Sequence, residues 1–282
     1  MTGVELPVLA LVLLAALSHA VWNAWLKKSS PDFVGLAAIS IGWLIFGVIG
    51  LLFVGPPAPT HWPYLLLTTA VHTVYAALLV SAYRHGELSL AYPIARGTGP
   101  VIVALTAPLL LHEQLAGPDL VAIALIVAGI LAIGLAGAGA GLHNRHAVLL
   151  SLATGVAIAL YTLIDAAGAR SGPSPHTYSA WLFVLTAFAQ LAVTGLVHRK
   201  ATLRLLRPRR RRGVVVGILS AVAYSIVLWA MTVAPAALVA AVRETSILFA
   251  ALIGWCFLGE KITRLRWFGA VLTVFGLVVA RL

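Results

Sequence analysis

The chain has 282 residues, of which 61% are hydrophobic and only 10% charged, and a formal net charge of +11; its mean hydropathy is +1.03. Soluble domains carry roughly 25% charged residues, so this composition excludes a soluble globular fold and leaves the bilayer as solvent. The positive charge does not indicate nucleic acid: Arg199, Lys200, Arg204, Arg207 and Arg209 to Arg212 crowd into one stretch between apolar segments, without aromatic interleaving, as suits a loop at the anionic cytoplasmic leaflet.

Apolar segments long enough to span fall at about 6–26, 33–54, 62–83, 88–111, 118–137, 147–169, 178–198, 213–233, 236–258 and 265–282. Each is near the ~20 residues needed to cross ~30 Å of hydrocarbon. Pro31-Asp32, Gly55-Pro56-Pro57-Ala58-Pro59, Gly117-Pro118, Gly172-Pro173-Ser174-Pro175 and Pro235 punctuate them. The segments lack the alternation of a barrel, so the expected fold is all-α with ten transmembrane helices.

In the first helix, Leu17-Ser18-His19-Ala20 resembles a signal-cleavage site, but no basic n-region precedes it, and a retained helix is expected. His19, Trp22, Asn23 and Leu26 share one face of it. Helix 3 aligns His72, Tyr75 and Tyr83; helix 6 aligns Tyr161 with Asp165; helix 8 aligns Ser220 with Tyr224. Such a polar, aromatic lining suits a metabolite pocket, and interhelical hydrogen bonding is its bland alternative. Trp62, Tyr64, Tyr178 and Trp267 near segment ends read as interfacial anchors.

Helix 4 opens Tyr92-Pro-Ile-Ala-Arg96-Gly and closes Leu111-His-Glu113, while helix 9 carries Val239-Ala-Ala-Val-Arg243-Glu244 and closes Leu258-Gly-Glu260. A shift of 147 residues superposes Arg96 on Arg243, Glu113 on Glu260 and Gly129 on Gly276. Two five-helix repeats follow, 1–140 and 147–282. An odd number of helices per repeat inverts the second copy, the architecture from which alternating access arises.

Arg96 and Arg243 lie deep in their helices. A charge at the bilayer centre costs roughly 2.5–3.5 kcal/mol even on the lenient insertion scale, so each must face a cavity or a partner. Guanidinium groups could anchor a carboxylate or phosphoryl group bidentately, or form structural pairs with Glu244 or Asp165. Glu244 could instead carry a coupled proton. About 100° separates adjacent helical positions, so Arg243 and Glu244 do not share one narrow stripe. Glu113 and Glu260, at helix ends, suit pairing or capping.

Lys and Arg concentrate after odd-numbered helices, placing those loops in the cytoplasm and both termini outside. Loops after even-numbered helices and the two ends hold only Arg170 and Arg281.

The motifs Ser18-His-Ala-Val-Trp-Asn23, Tyr92-Pro-Ile-Ala-Arg96-Gly, Tyr161-Thr-Leu-Ile-Asp165, Arg243-Glu244 and Leu258-Gly-Glu260-Lys261 resemble the drug/metabolite transporter superfamily, specifically its EamA-type ten-helix permeases. The likeness covers nearly the whole chain. It departs in one respect: many EamA-type proteins place basic residues between helices 2 and 3, where this chain has none. The expected function is a secondary carrier of a small anionic or zwitterionic metabolite, such as an amino acid or organic acid, across the plasma (inner) membrane, proton-coupled or exchange-driven.

The expected substrate-binding set is Arg96, Arg243, Trp22, Asn23, His72, Tyr75, Tyr92, Tyr161 and Tyr224, with Glu244 and Asp165 as proton-coupling or charge-pair residues. Expected partners are a small-molecule substrate and membrane lipids, with no nucleic acid. The helix 5 glycines and Gly213-x-x-x-Gly217 permit close helix contact and are compatible with a homodimer. No cofactor or metal is expected: Cys256 is the single cysteine and the nine histidines are scattered. Lipid or lipid-linked sugar flipping is the competing function within the fold. An intramembrane enzyme would need a zinc or nucleophile motif that is missing, and a scaffold would not explain the paired arginines.

Overall fold

The computed structural model describes residues 5–28, 33–85, 88–138, 144–258 and 263–281, with the backbone alone at 22–28, 197–210 and a few other helix-end positions. Continuously apolar segments in hydrocarbon must satisfy every backbone group internally, and the described elements are accordingly helical. They are α1 (Leu6–Lys28), α2 (Phe33–Leu51), a 3-10 turn η1 (Pro59–His61), α3 (Trp62–His85), α4 (Leu88–Leu110), α5 (Gly117–Ala138), α6 (Arg145–Arg170), α7 (Pro175–Val233), α8 (Ala236–Arg243), α9 (Ser246–Leu258) and α10 (Arg264–Val279).

Two elements differ from the expected spans. The backbone is helical throughout the 59 residues of α7, including 199–212, where a loop is expected. A straight rod is impossible, because the Ser179 and Ser225 hydroxyls, 46 residues apart in sequence, lie 2.6 Å from one another, against about 69 Å along an ideal helix axis. Two antiparallel arms result, 175–196 and 211–233, each long and apolar enough to cross a membrane. The expected ninth span is broken: α8 ends at Arg243 and α9 starts at Ser246. Counting α8 with α9 as one crossing and the arms of α7 as two gives ten crossings.

The ends of the bundle agree with an alternating path. Thr60 Oγ1 of η1 donates to the Ser171 carbonyl at 2.7 Å, and Trp181 Nε1 donates to the Gly55 carbonyl at 3.5 Å, so the loops after the second and sixth crossings meet at one end. At the other, the Asn144 side-chain amide donates to the His85 carbonyl at 2.6 Å, and its oxygen caps α6 by accepting from Ala147 N.

The inverted repeat is visible in reciprocal contacts between α5 and α10. A Cβ at Gly129 would sit 2.8 Å from Thr273 N and 2.5 Å from the Gly269 carbonyl. At Gly276, which stands 147 residues after Gly129, it would sit 3.0 Å from Ile126 N and 3.0 Å from the Ala122 carbonyl. Ile126 and Ala122 in turn precede Thr273 and Gly269 by the same interval. Residue i thus meets j′ while i′ meets j, the signature of a two-fold axis passing between the two helices.

The Gly213–Gly217 motif is used inside the chain. Gly213 lies on Ala38, and Gly217 on the Ile39 carbonyl and Gly42 of α2. Without a hydrophobic drive between helices in lipid, such close backbone approach supplies the packing energy. Gly129→Val should therefore destabilise the protein by about 1–3 kcal/mol, the usual cost of overpacking. A thermal melt in detergent checks it, with Gly117→Ala, whose Cβ would meet nothing within 4 Å, as the neutral comparison.

Candidate functional site

Helix α4 contains Pro93, Pro100 and Pro108. Proline has no N–H, so Pro100 deprives the Arg96 carbonyl of its helical donor and loosens the turn that carries Arg96. Opposite it, α8 is fully buried; Ala236, Ala237, Ala240 and Ala241 let neighbouring helices close on it. The polar run Arg243-Glu244-Thr245-Ser246 then mixes α-helical bonding, kept by Glu244 N to the Ala240 carbonyl at 3.3 Å, with tighter bonds. Glu244 N donates to the Ala241 carbonyl at 3.1 Å, Thr245 N to that of Val242 at 3.1 Å and Ile247 N to that of Glu244 at 3.1 Å. The Thr245 hydroxyl also donates to the Val242 carbonyl at 2.7 Å. A helix interrupted at membrane depth beside buried charges is the construction by which carriers form ion and substrate sites.

The break brings together what a regular helix would hold apart. Glu244 is 0% exposed, and Arg96 and Arg243 each 4%. Arg96 Nη1 donates to Glu244 Oε1 at 3.1 Å and to Oε2 at 3.0 Å. Arg243 donates to Oε1 through Nε at 3.1 Å and Nη2 at 3.0 Å. One carboxylate, from the second repeat, therefore bridges two arginines related by the repeat. His19 of α1 faces Arg96 Nη2 through its Nε2, so that ring nitrogen serves as an acceptor.

Aromatic rings enclose the charges. The Arg96 guanidinium lies 5.3 Å from the centre of the Tyr92 ring, and that of Arg243 lies 5.9 Å from both Tyr161 and Tyr224, within cation–π range. Tyr161 is 4.3 Å from the His72 ring, 5.4 Å from Tyr75 and 6.1 Å from Tyr224. Of the expected set, Arg96, Arg243, Glu244, His72, Tyr75, Tyr92, Tyr161 and Tyr224 thus converge. The side chains of Trp22 and Asn23, together with Glu260, lie outside the described residues.

Asp165 belongs to a neighbouring network. Tyr178 Oη donates to its Oδ1 at 2.8 Å and Tyr224 Oη to its Oδ2 at 2.6 Å. Tyr178 is 0% exposed and is not the interfacial anchor that its place near the start of a span suggests. It is buried beneath η1, where His61 covers it at 5.6 Å between ring centres. Ser220 accepts from Trp43 Nε1 at 2.8 Å.

A second ion pair ties helix ends together at one end of the bundle. His112 adopts a left-handed conformation, φ 53°, which turns the chain after α4 as helix C-caps commonly do and carries Glu113 back over the helix ends. Glu113 Oε1 accepts from Arg170 Nη2 at 2.6 Å and from Ala236 N, at the start of α8, at 2.7 Å. Arg170 Nε also donates to the Met231 carbonyl at 2.7 Å, and its Nη2 to that of Ala234 at 3.3 Å. The ends of α4, α6 and α7 and the beginning of α8 are tied together. The capping or pairing role expected of Glu113 fits this arrangement. Arg170, singled out in the sequence only as an exception to the charge bias, is its partner, and its isolation in an otherwise uncharged loop is the signal for that role.

Ten crossings in two inverted halves, a broken helix and buried charges at its break define a polytopic membrane transporter. The EamA-like transporter family model matches twice, over residues 6–135 and 145–282, and the chain belongs to that family. A relative from Bacillus subtilis (strain 168), "Uncharacterized transporter YwfM", is 26% identical over 220 residues, covering 77% of this chain and 73% of that one. A solved structure described as "Crystal structure of protein" shares the fold, with TM-score 0.76, 18% identity, and 97% of this chain and 98% of that one covered.

Proposed function

We propose that the protein is a secondary carrier of a small anionic or zwitterionic metabolite, an amino acid or organic acid among them, working across the plasma membrane by alternating access. The observation that carries this reading is the convergence of two repeat-related arginines on one resident carboxylate, Glu244, amid tyrosine rings. A substrate carboxylate that replaces Glu244 between the guanidinium groups meets donors already spaced for it. The aromatic box is occupied by the protein's own cation, Arg243, which disfavours a cationic substrate there.

The halves 1–140 and 147–282 rock against one another, and the Glu113–Arg170 clamp holds one end shut. Coupling is to protons or to exchange, through Glu244 or Asp165. In liposomes containing the purified protein, carboxylate-bearing solutes from a metabolite panel should accumulate only under a proton or counter-solute gradient. Failure of every anionic and zwitterionic solute to enter would overturn the reading.

The distribution of Lys and Arg supports odd-numbered loops in the cytoplasm. A reporter fused after Leu282 should therefore signal the outside face, and a cytoplasmic signal would reverse the orientation.

A further inference from the structure

Asp165 takes no part in the arginine–glutamate cluster. It is fully buried on α6, and among the described residues no Lys or Arg pairs with it. Its hydrogen bonds come from neutral hydroxyls, those of Tyr178 and Tyr224 on the two arms of α7. An asparagine or glutamine would fill much of this role without the cost of burying a charge. What an aspartate adds is the capacity to bind a proton. Glu244 is placed differently, since both of its oxygens are taken by guanidinium donors.

Tyr224 joins the two networks. Its hydroxyl donates to Asp165 at 2.6 Å, while its ring lies 5.9 Å from the Arg243 guanidinium. Protonated, Asp165 becomes a poorer acceptor and a donor in its own right, so the Tyr224 hydroxyl loses its anchor and the ring its fixed position over Arg243. The other titratable or charged groups around Asp165 are His72 of α3, Tyr161 of α6 itself and Arg243 of α8. His61 of η1 stands behind Tyr178 with both ring nitrogens buried and, among the described residues, without a hydrogen-bond partner.

We propose that Asp165 is a proton-binding site, separate from the anion anchors and communicating with Arg243 through Tyr224, and that it sets the substrate class as a singly charged anion moved with one proton. This inference rests on the carrier reading above. Arg96, Arg243, Glu244 and Asp165 together sum to zero charge. One proton on Asp165 leaves the centre one positive charge in excess, which a monoanion neutralises. Movement of substrate and proton together is then electrically silent.

The test reads the carboxyl group directly, by infrared difference spectroscopy of the purified full-length protein in lipid nanodiscs, titrated from about pH 9 to about pH 4, a range that spans ordinary and displaced carboxyl titrations. A buried protonated-carboxyl C=O band should appear on acidification and be lost in Asp165→Asn. Tyr178→Phe, which keeps the titrating group, should move that band's frequency by removing one hydrogen bond, and so identifies it if Asp165→Asn fails to fold. Arg243→Gln should shift the titration midpoint, and Tyr224→Phe should abolish most of that shift, the non-additivity expected of coupled residues. A spectrum with no titrating buried carboxyl, a band indifferent to both Asp165→Asn and Tyr178→Phe, or a midpoint indifferent to Arg243 would overturn the proposal. A band lost in His72→Gln but not in Asp165→Asn would overturn it equally. Solute accumulation in liposomes alongside any of these negative results would leave the carrier reading standing and remove only the proton site.

Discussion

Arg96→Ala and Arg243→Ala should each lower anion transport by about thirtyfold or more while leaving membrane insertion intact. Truncating one member of a buried, hydrogen-bonded charge pair costs about 2–5 kcal/mol, and each arginine supplies two of the bonds to Glu244. Lysine should not rescue either position, since a single ammonium cannot reproduce the forked donor set. Glu244→Gln keeps the side-chain shape but removes the resident negative charge, so solute affinity should depart from wild type even where expression is normal. Uptake and thermal-shift titration with the same carboxylate panel check all three. Arginine variants with unchanged affinity and flux would remove the anchor role.

Breaking the Glu113–Arg170 clamp should open one end of the bundle. Glu113 Oε1 holds both Arg170 and the first amide of α8, and its loss forfeits charge-assisted hydrogen bonds worth about 1.5–3 kcal/mol. On a two-state equilibrium that corresponds to roughly a 10- to 150-fold shift toward the open form. Cys256 is the single cysteine, so a Cys256→Ser background allows one reporter cysteine at Ala237, buried beside the clamp. Glu113→Ala should label there at least about tenfold faster with an impermeant maleimide, the lower bound of that shift. Equal rates in the two proteins would show that the clamp does not gate this end.

Crossings were legible in the sequence because apolar length and proline punctuation answer directly to the bilayer. The repeat was legible because Arg96 and Arg243, and Gly129 and Gly276, recur at one interval. The break at Glu244 was not read, although four consecutive polar residues, Arg243 to Ser246, within an apolar run announce backbone and side-chain competition for hydrogen bonds. Tyr178 was misread because its depth is set by η1 and His61, which fold over it from a distant part of the chain. The bridge from Arg96 to Glu244 spans 148 residues, and no local pattern encodes which carboxylate an arginine meets. Arg170 stood out as an exception to the charge bias and is explained by its bond to Glu113.

The reciprocal seam between α5 and α10 has a consequence for how the protein is made. During synthesis α5 leaves the ribosome long before α10, carrying a glycine-floored groove at Gly129 whose occupant has not yet been translated. The nascent first half must wait in the lipid with that groove unfilled, open to a chaperone, to a lipid tail or to the same groove on another unfinished chain. Interrupted translation would therefore release a five-helix fragment with the Gly129 face uncovered, lacking the Gly269 and Thr273 surface that closes it in the finished protein.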